Sequence, residues 1–307
     1  YEICLSDWSS DVCSSDLKEN KELDEIYNNF IVDKNPPAPY IIQHFKSLEG
    51  EGGDNAVGLT TLFLRLNKCN LSCNFCDTAF SIKGDERYNI VRADTELTEL
   101  LNEKYSEDDR KYIHSCSITG GEPLMHLESF EDIIEELLES FTGINHIIVE
   151  TNGLYLYKRE NALKFLELAN IYANKIKFTL SISPKLDAKV SYGKAGRTGD
   201  VNNRNILYLY EGVFKNYKRY LSSIVNVQCK FVHSPELKAT NEPLMDIILD
   251  NELIEPRTKI LIMPFTPPLK SSTYEIDWKN SKDAAARYAF EKYLRYSPRI
   301  HVDRNMD

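Results

Sequence analysis

Cys69, Cys73 and Cys76 stand within "RLNKCNLSCNFCDTAF" (65–80), three thiols inside eight positions. Thiols in clusters pair as disulfides, hold zinc or ligate iron–sulfur centres. Three is an odd number for disulfides. A structural zinc takes four protein ligands, and the fourth would have to be His114 or Cys116. Cys116 lies inside the apolar run "SCSIT" (115–119), which reads as core. A [4Fe–4S] cluster on three thiolates leaves one iron open, as a catalytic metal keeps one position for a reactant. The spacing therefore favours a cluster, with zinc as the alternative.

Other residues suited to chemistry fall at the ends of apolar, β-rich runs. "TGGEP" (119–123) offers two glycines, whose backbone can approach a ligand closely, and Glu122, an acceptor for an ammonium group. "ETNG" (150–153) and "SISPK" (181–185) follow two further runs. "EGEG" (49–52) precedes the strand-like "TTLFLRL" (60–66), which carries Arg65. Each has a plainer reading. Arg65 could face solvent, Thr78 could cap a helix, Ser183 and Lys185 could belong to an ordinary loop, and Glu150 could pair with a lysine inside a barrel. His44, His126, His146 and His233 belong to no motif and read as structural.

The elements that must position these groups alternate in type. Strand patterns at 60–66, 115–119, 146–151, 175–183, 225–233 and 258–264 are separated by helical ones. Leu127, Phe130, Ile133, Ile134, Leu137, Leu138 and Phe141 recur at helical spacing; 161–172, 235–249 and 281–295 also read as helices. Such alternation predicts an α/β fold with a parallel sheet and right-handed crossovers. No Gly-rich dinucleotide fingerprint follows the first strand, so a complete or partial (β/α) barrel is expected, with its chemistry at the C-terminal strand ends. "NPPAP" (35–39) marks a boundary, with structure expected to begin near "YIIQHF". That divides the chain into a tail (1–17), an extension or linker (18–39) and one core domain (40–307). "KAGRTGDVNNRN" (194–205) reads as an exposed loop.

The 307 residues carry a net charge of −10, which disfavours tight binding to a nucleic-acid backbone. No apolar run of about 18 residues is present, so no membrane span is expected. A cytoplasmic location is expected, since no signal peptide is apparent. "CLSDWSSDVCSSDL" (4–17) resembles translated sequencing-adapter read-through, so Cys4 and Cys13 are set aside. Residues 1–17 hold Glu2, Asp7, Asp11 and Asp16 and no Lys or Arg; without them the charge is −10 + 4 = −6.

The C-x3-C-x2-C spacing of "CNLSCNFC", with "GGEP" beyond it, resembles the radical S-adenosylmethionine superfamily. The resemblance implies a [4Fe–4S] cluster on Cys69, Cys73 and Cys76, whose open iron takes the methionine end of S-adenosylmethionine. It further implies Phe75 against adenine, Gly120, Gly121 and Glu122 at the amino group, Ser183 and Lys185 near the carboxylate and ribose, and Glu150 and Asn152 facing the cofactor. More of the chain, about 40–305, resembles the 7-carboxy-7-deazaguanine synthase family. The motifs are "HFKSLEGEGGDNAVGLTTLFLRLNKCNLSCNFCDT", then "TGGEPL", "VETNG", "SISPK", "KFV", "IMP" and "RIHV" in that family's order.

That family contracts the ring of 6-carboxy-5,6,7,8-tetrahydropterin with loss of ammonia, on the route to queuosine and other 7-deazapurines. The resemblance implies a single-domain partial or modified (β/α) barrel. It places Glu49, Glu51, Arg65, Thr119, Gly121 and His301 at the substrate, Glu51 and Arg65 among them as catalytic groups, and Thr78 at a Mg²⁺ ion. It also implies a homodimer and a flavodoxin- or ferredoxin-type electron donor. Two features depart from the pattern: Glu49 stands where glutamine is usual, and extra sequence lies around 84–112 and 194–220. The competing expectations are an activase of a glycyl-radical enzyme, which shares the cysteine triad, and a zinc-stabilised binding module.

Overall fold

The apolar runs become the parallel centre of a nine-stranded sheet. The computed structural model describes residues 21–32, 38–51, 56–73, 76, 78, 91–186, 190–192, 203–267 and 272–299. The tail 1–17, Phe75 and His301 lie outside the described residues. The chain begins with helix α1 over 21–31, then β1 (Tyr40–Leu48), β2 (Thr60–Leu66), β3 (Leu71–Cys73) and β4 (Val91–Arg92). Helices α2 (Leu97–Lys104) and α3 (Glu107–Tyr112) precede β5 (Ser115–Gly120), α4 (Phe130–Ser140), β6 (His146–Thr151), α5 (Arg159–Tyr172) and β7 (Lys177–Ile182). Next come β8 (Val190–Tyr192), α6 (Asn203–Asn216), β9 (Val225–His233), α7 (Pro235–Asp250), β10 (Ile260–Pro264), α8 (Tyr274–Glu291) and β11 (Arg295–Tyr296).

The strand order is β11-β10-β9-β7-β6-β5-β2-β1-β4. All neighbours from β2 through β11 run parallel, while β1 pairs antiparallel with both β2 and β4. The sheet keeps two edges among the described residues, so the barrel is partial. Its central strands are covered on both faces, which is why β6 and β10 carry continuous apolar runs; β7 (KFTLSI) alternates in sequence, yet Thr179 and Ser181 are buried with its apolar residues. α4 shows the complementary pattern: Phe130, Ile133, Ile134 and Leu137 are buried one turn apart, and Glu131, Asp132 and Glu135 face out. Burying these four side chains removes on the order of 6–12 kcal/mol of apolar exposure, as an upper bound.

Helix starts follow local chemistry. Ser106 and Asp109 form a reciprocal capping box at α3, and Ser234 accepts from Leu237 N (3.2 Å) at α7, where Pro235 takes the first helical position.

The structure differs from the sequence reading in three places. Structure begins well before "YIIQHF": α1 seats Leu23, Tyr27 and Ile31 in the core. Tyr27 Oη donates to Tyr155 O (3.2 Å), and Lys158 pairs with Asp24 (2.6 Å). α1 ends at Ile31, where Val32 is already extended, ahead of the proline run 35–39. The last helix ends at Glu291, four residues early, because Arg295 and Tyr296 pair with β10 instead. The extra sequence is partly regular: α2, α3 and α6 lie within 84–112 and 194–220, with Leu97, Leu101, Leu209 and Val213 buried. The part of the 194–205 segment that precedes α6, 194–202, lies outside the described residues.

Candidate active site

The C-terminal ends of the parallel strands enclose one cavity. Its walls include Cys69, Cys73, Cys76 and Thr78 after β2, Gly120 to Glu122 after β5, and Glu150 to Asn152 at the end of β6. Ser181, Ser183 and Lys185 come from β7 and its loop, Lys230 and Val232 from β9, and Met263 to Thr266 from β10. Glu51, Arg65 and Arg299 complete it.

The cysteine loop is shaped by its own backbone. Leu71 N donates to Cys69 Sγ (3.4 Å) and Cys76 N to Cys73 O (3.2 Å). β3, which ends at Cys73, leaves the main sheet and pairs antiparallel with β8, Cys73 opposite Val190. Burial and the nearby Glu122 push the Cys69 thiol well above its usual range. Among the described residues no three His, Cys, Asp or Glu side chains gather about a single point as one ion would require. Cys116 and Cys229, the other thiols described, are fully buried in β5 and β9 and do not reach the cavity. Three thiols on one cavity wall, with no fourth thiol of the described residues lining it, fit the cluster.

"TGGEP" does something the sequence did not show. Its glycines accommodate the cysteine loop's backbone. A Cβ on Gly121 would sit 1.5 Å from Lys68 O, and one on Gly120, at φ +113°, 2.3 Å from Leu66 O. Gly121 N donates to Leu66 O (2.9 Å) and Glu122 N to Lys68 O (2.7 Å). Glu122 is fully buried, and burial pushes it up to about 7 against three donors: Thr151 Oγ1, Asn152 N (2.7 Å) and Leu124 N (3.0 Å). It therefore ties "GGEP" to "ETNG" while still lining the cavity. Asn152 Nδ2 in turn donates to Asn70 Oδ1 (2.8 Å), and Asn70 Nδ2 donates to Ile31 O (3.3 Å). The cysteine loop, two strand-end motifs and α1 form one hydrogen-bonded assembly. Asn70 was missed by sequence reasoning because its partner Ile31 lies in the supposed linker.

A second cluster occupies the cavity beside the first. Lys230 Nζ donates to Glu51 Oε2 (2.6 Å) and lies 3.5 Å from Glu150 Oε2. Arg299 Nε donates to Glu51 Oε1 (2.8 Å). Burial opposes the charge on Lys230, but Glu150 and Glu51 more than offset it, and its pKa is raised. Glu150 also accepts from Ser117 Oγ (3.2 Å) and Thr119 Oγ1 (3.4 Å). The plainer expectation for Glu150, a lysine partner inside the barrel, holds alongside its place on the cavity wall. Lys230 opens "KFV" and Arg299 opens "RIHV", but neither residue was singled out in those motifs.

Glu49 is absent from the cavity wall. It lies behind Glu51, 1 % exposed, with Oε1 accepting from Glu51 N (2.8 Å) and Oε2 without a partner. Burial and the charge of Glu150 push it up to about 8. Arg65 reaches the cavity rather than solvent, its guanidinium over the Phe45 ring at 5.3 Å and its Nε buried without a hydrogen-bond partner. Lys185 Nζ donates to Ser183 Oγ (2.8 Å), and Thr78 Oγ1 donates to Gly120 O (3.4 Å) and lies 3.6 Å from Cys76 Sγ. The four unassigned histidines serve packing: His126 meets Asn67 O (3.0 Å), His146 meets Thr179 (2.8 Å), His44 meets Tyr105 (2.9 Å), and His233 stacks on Tyr288.

A cysteine triad at the mouth of a partial parallel barrel, clamped by strand-end glycine and carboxylate motifs, defines a radical S-adenosylmethionine enzyme. The model of the Radical SAM superfamily matches residues 64–186. The chain belongs to the 7-carboxy-7-deazaguanine synthase family. It is 30% identical over 233 residues to the 7-carboxy-7-deazaguanine synthase of Methanothermobacter thermautotrophicus, spanning 74% of this chain and 83% of that one. To the synthase of Clostridium acetobutylicum it is 25% identical, spanning 72% and 93%. The crystal structure of QueE from Escherichia coli aligns with a TM-score of 0.47 at 15% identity, covering 84% of this chain and 92% of that one. The activase alternative gains no support from these relatives. Among the described residues no helix is long and apolar enough to cross a membrane.

Proposed function

We propose that this enzyme converts 6-carboxy-5,6,7,8-tetrahydropterin into 7-carboxy-7-deazaguanine and ammonia. The observation that carries the reading is the shared cavity: three cluster thiols face the same space as Glu51, Arg65, Glu150 and Lys230. When bound, the cluster and S-adenosylmethionine supply a 5′-deoxyadenosyl radical that takes a hydrogen atom from the substrate. The protein's own task is binding and orientation.

Glu51 and Glu150 present carboxylate acceptors to the N–H edge of the pterin. Arg65, with an unpartnered buried Nε, is suited to the substrate carboxylate. Thr78 offers a hydroxyl oxygen to Mg²⁺, a hard cation that takes oxygen ligands. Glu122, Asn152, Ser183 and Lys185 would hold the methionine and ribose parts of the cofactor. Apolar Leu71, Val232, Met263 and Phe265 limit water in the cavity. Glu49, set behind Glu51, supports the substrate-binding loop.

We further infer a homodimer, supported by the exposed apolar side chains Ile276, Phe290 and Tyr293 of α8 and the turn after it. Light scattering on the purified protein tests it. A flavodoxin- or ferredoxin-type donor is the expected electron source.

The decisive experiment is anaerobic turnover. Protein reconstituted with iron and sulfide receives reductant, S-adenosylmethionine, Mg²⁺ and the pterin, and the product is followed by mass. A product lighter by one ammonia supports the reading. Cleavage of S-adenosylmethionine with the pterin intact would refute the substrate.

A further inference from the structure

Arg299, the first residue of "RIHV", is a buried cation at the cavity that the sequence did not single out, since that motif was read for its histidine. Its residue is 8 % exposed, and its backbone is left-handed, φ +49°, a conformation that disfavours residues bearing a side chain. Such a conformation persists only where surrounding contacts impose it, and here they are specific. Arg299 N donates to Gly50 O (3.2 Å), Nε to Glu51 Oε1 (2.8 Å) and Nη1 to Thr266 Oγ1. Two residues earlier, Ser297 Oγ donates to Glu51 O (3.3 Å) and Ser297 N to Ile262 O (2.9 Å). The segment 297–299 thus grips Glu51 by both its backbone and its carboxylate.

The charges explain why one cation is insufficient. Lys230 is shared between Glu51 and Glu150, and Glu49 lies directly behind Glu51. With Lys230 alone, Glu51 would compete with Glu150 for a single ammonium and could turn toward either side of the cavity. Arg299 gives each oxygen of Glu51 its own cationic donor, one from β9 and one from the chain after β11, and fixes the carboxylate plane.

We propose that Arg299 positions Glu51 to receive an N–H-bearing heterocycle with a cyclic guanidine edge, and so sets affinity for the pterin without serving the cofactor. This rests on the function proposed above. Arg299 acts through Glu51 and is a positioning residue.

The test is steady-state kinetics of the reconstituted full chain with R299Q, R299K, E51Q and the R299Q/E51Q pair. R299Q is expected to raise KM for the pterin roughly tenfold to hundredfold, the scale of one charge-assisted hydrogen bond. KM for S-adenosylmethionine should move less than about twofold, because uniform loss of structure would shift both. R299K, which keeps the charge and loses the fork, should fall between; it also serves if R299Q does not fold. In the E51Q background R299Q should add less than about twofold, since the two act as a unit. A full further loss there, or equal damage to both KM values, would overturn the proposal. Wild-type KM for the pterin in R299Q would overturn it while leaving the substrate assignment standing. If the wild-type enzyme leaves the pterin intact, the substrate assignment falls and takes this proposal with it.

Discussion

At the scale of single residues, the glycines and buried carboxylates carry the sharpest expectations. Gly121 has no room for a methyl group beside Lys68 O. G121A is expected to cost about 3 kcal/mol, the upper range for overpacking, read as a shift in denaturant midpoint. The variant should also bind less iron, because the backbone displaced is that of the cysteine loop. Glu49 gives a pH prediction. Its folded value, about 8, lies above its ordinary value of 4.5, so the folded state holds the proton more tightly. Its stabilising contribution is fully present below 4.5 and is lost as pH rises through about 8. E49Q keeps the buried shape and cannot ionise, so thermal unfolding of E49Q should depend less on pH across that window. Equal pH profiles for the two proteins would contradict a buried, proton-binding Glu49. A neutral Glu49 also makes sense of the departure at this position: like glutamine, it places no charge in the buried site behind Glu51.

At the scale of elements, the sequence was legible where periodicity was strong. β2, β6 and β9 fall where their apolar runs end, and the motif-bearing loops follow them. What could not be read was pairing across distance. The contact between Ile31 O and Asn70 joins segments 39 residues apart, and Arg299 meets Glu51 across 248. Neither pair leaves a local pattern. α1 was hidden for a related reason: its short apolar stripe, Leu23, Tyr27 and Ile31, precedes a proline run that looked like the boundary of the fold. I31A is expected to cost about 2–5 kcal/mol, as for other large-to-small core changes, measured by chemical unfolding. Y27F should cost about 1 kcal/mol, since its hydroxyl joins Tyr155 O and Asn161 Nδ2. If α1 were a mere tether, both variants would match the wild type.

At the scale of the whole molecule, the parallel sheet supplies the frame and the strand-end loops supply the chemistry. Function was more legible than geometry, because the spacing of three cysteines and the order of short motifs survive without any knowledge of contacts. The roles inside the motifs were less so: the glycines of "TGGEP" pack backbone on backbone, and Glu122 braces a neighbouring loop. The position of β3 has a practical consequence. The strand that ends at Cys73 is three residues long and, among the described residues, pairs only with β8, outside the nine-stranded sheet. Oxygen damage to the metal centre therefore strikes an appendage of the frame. Protein bleached in air should keep its far-ultraviolet circular dichroism and lose only a few degrees of Tm. It should recover colour and activity when iron and sulfide are returned. In a cell, repair of such an enzyme would require new inorganic parts and no new polypeptide.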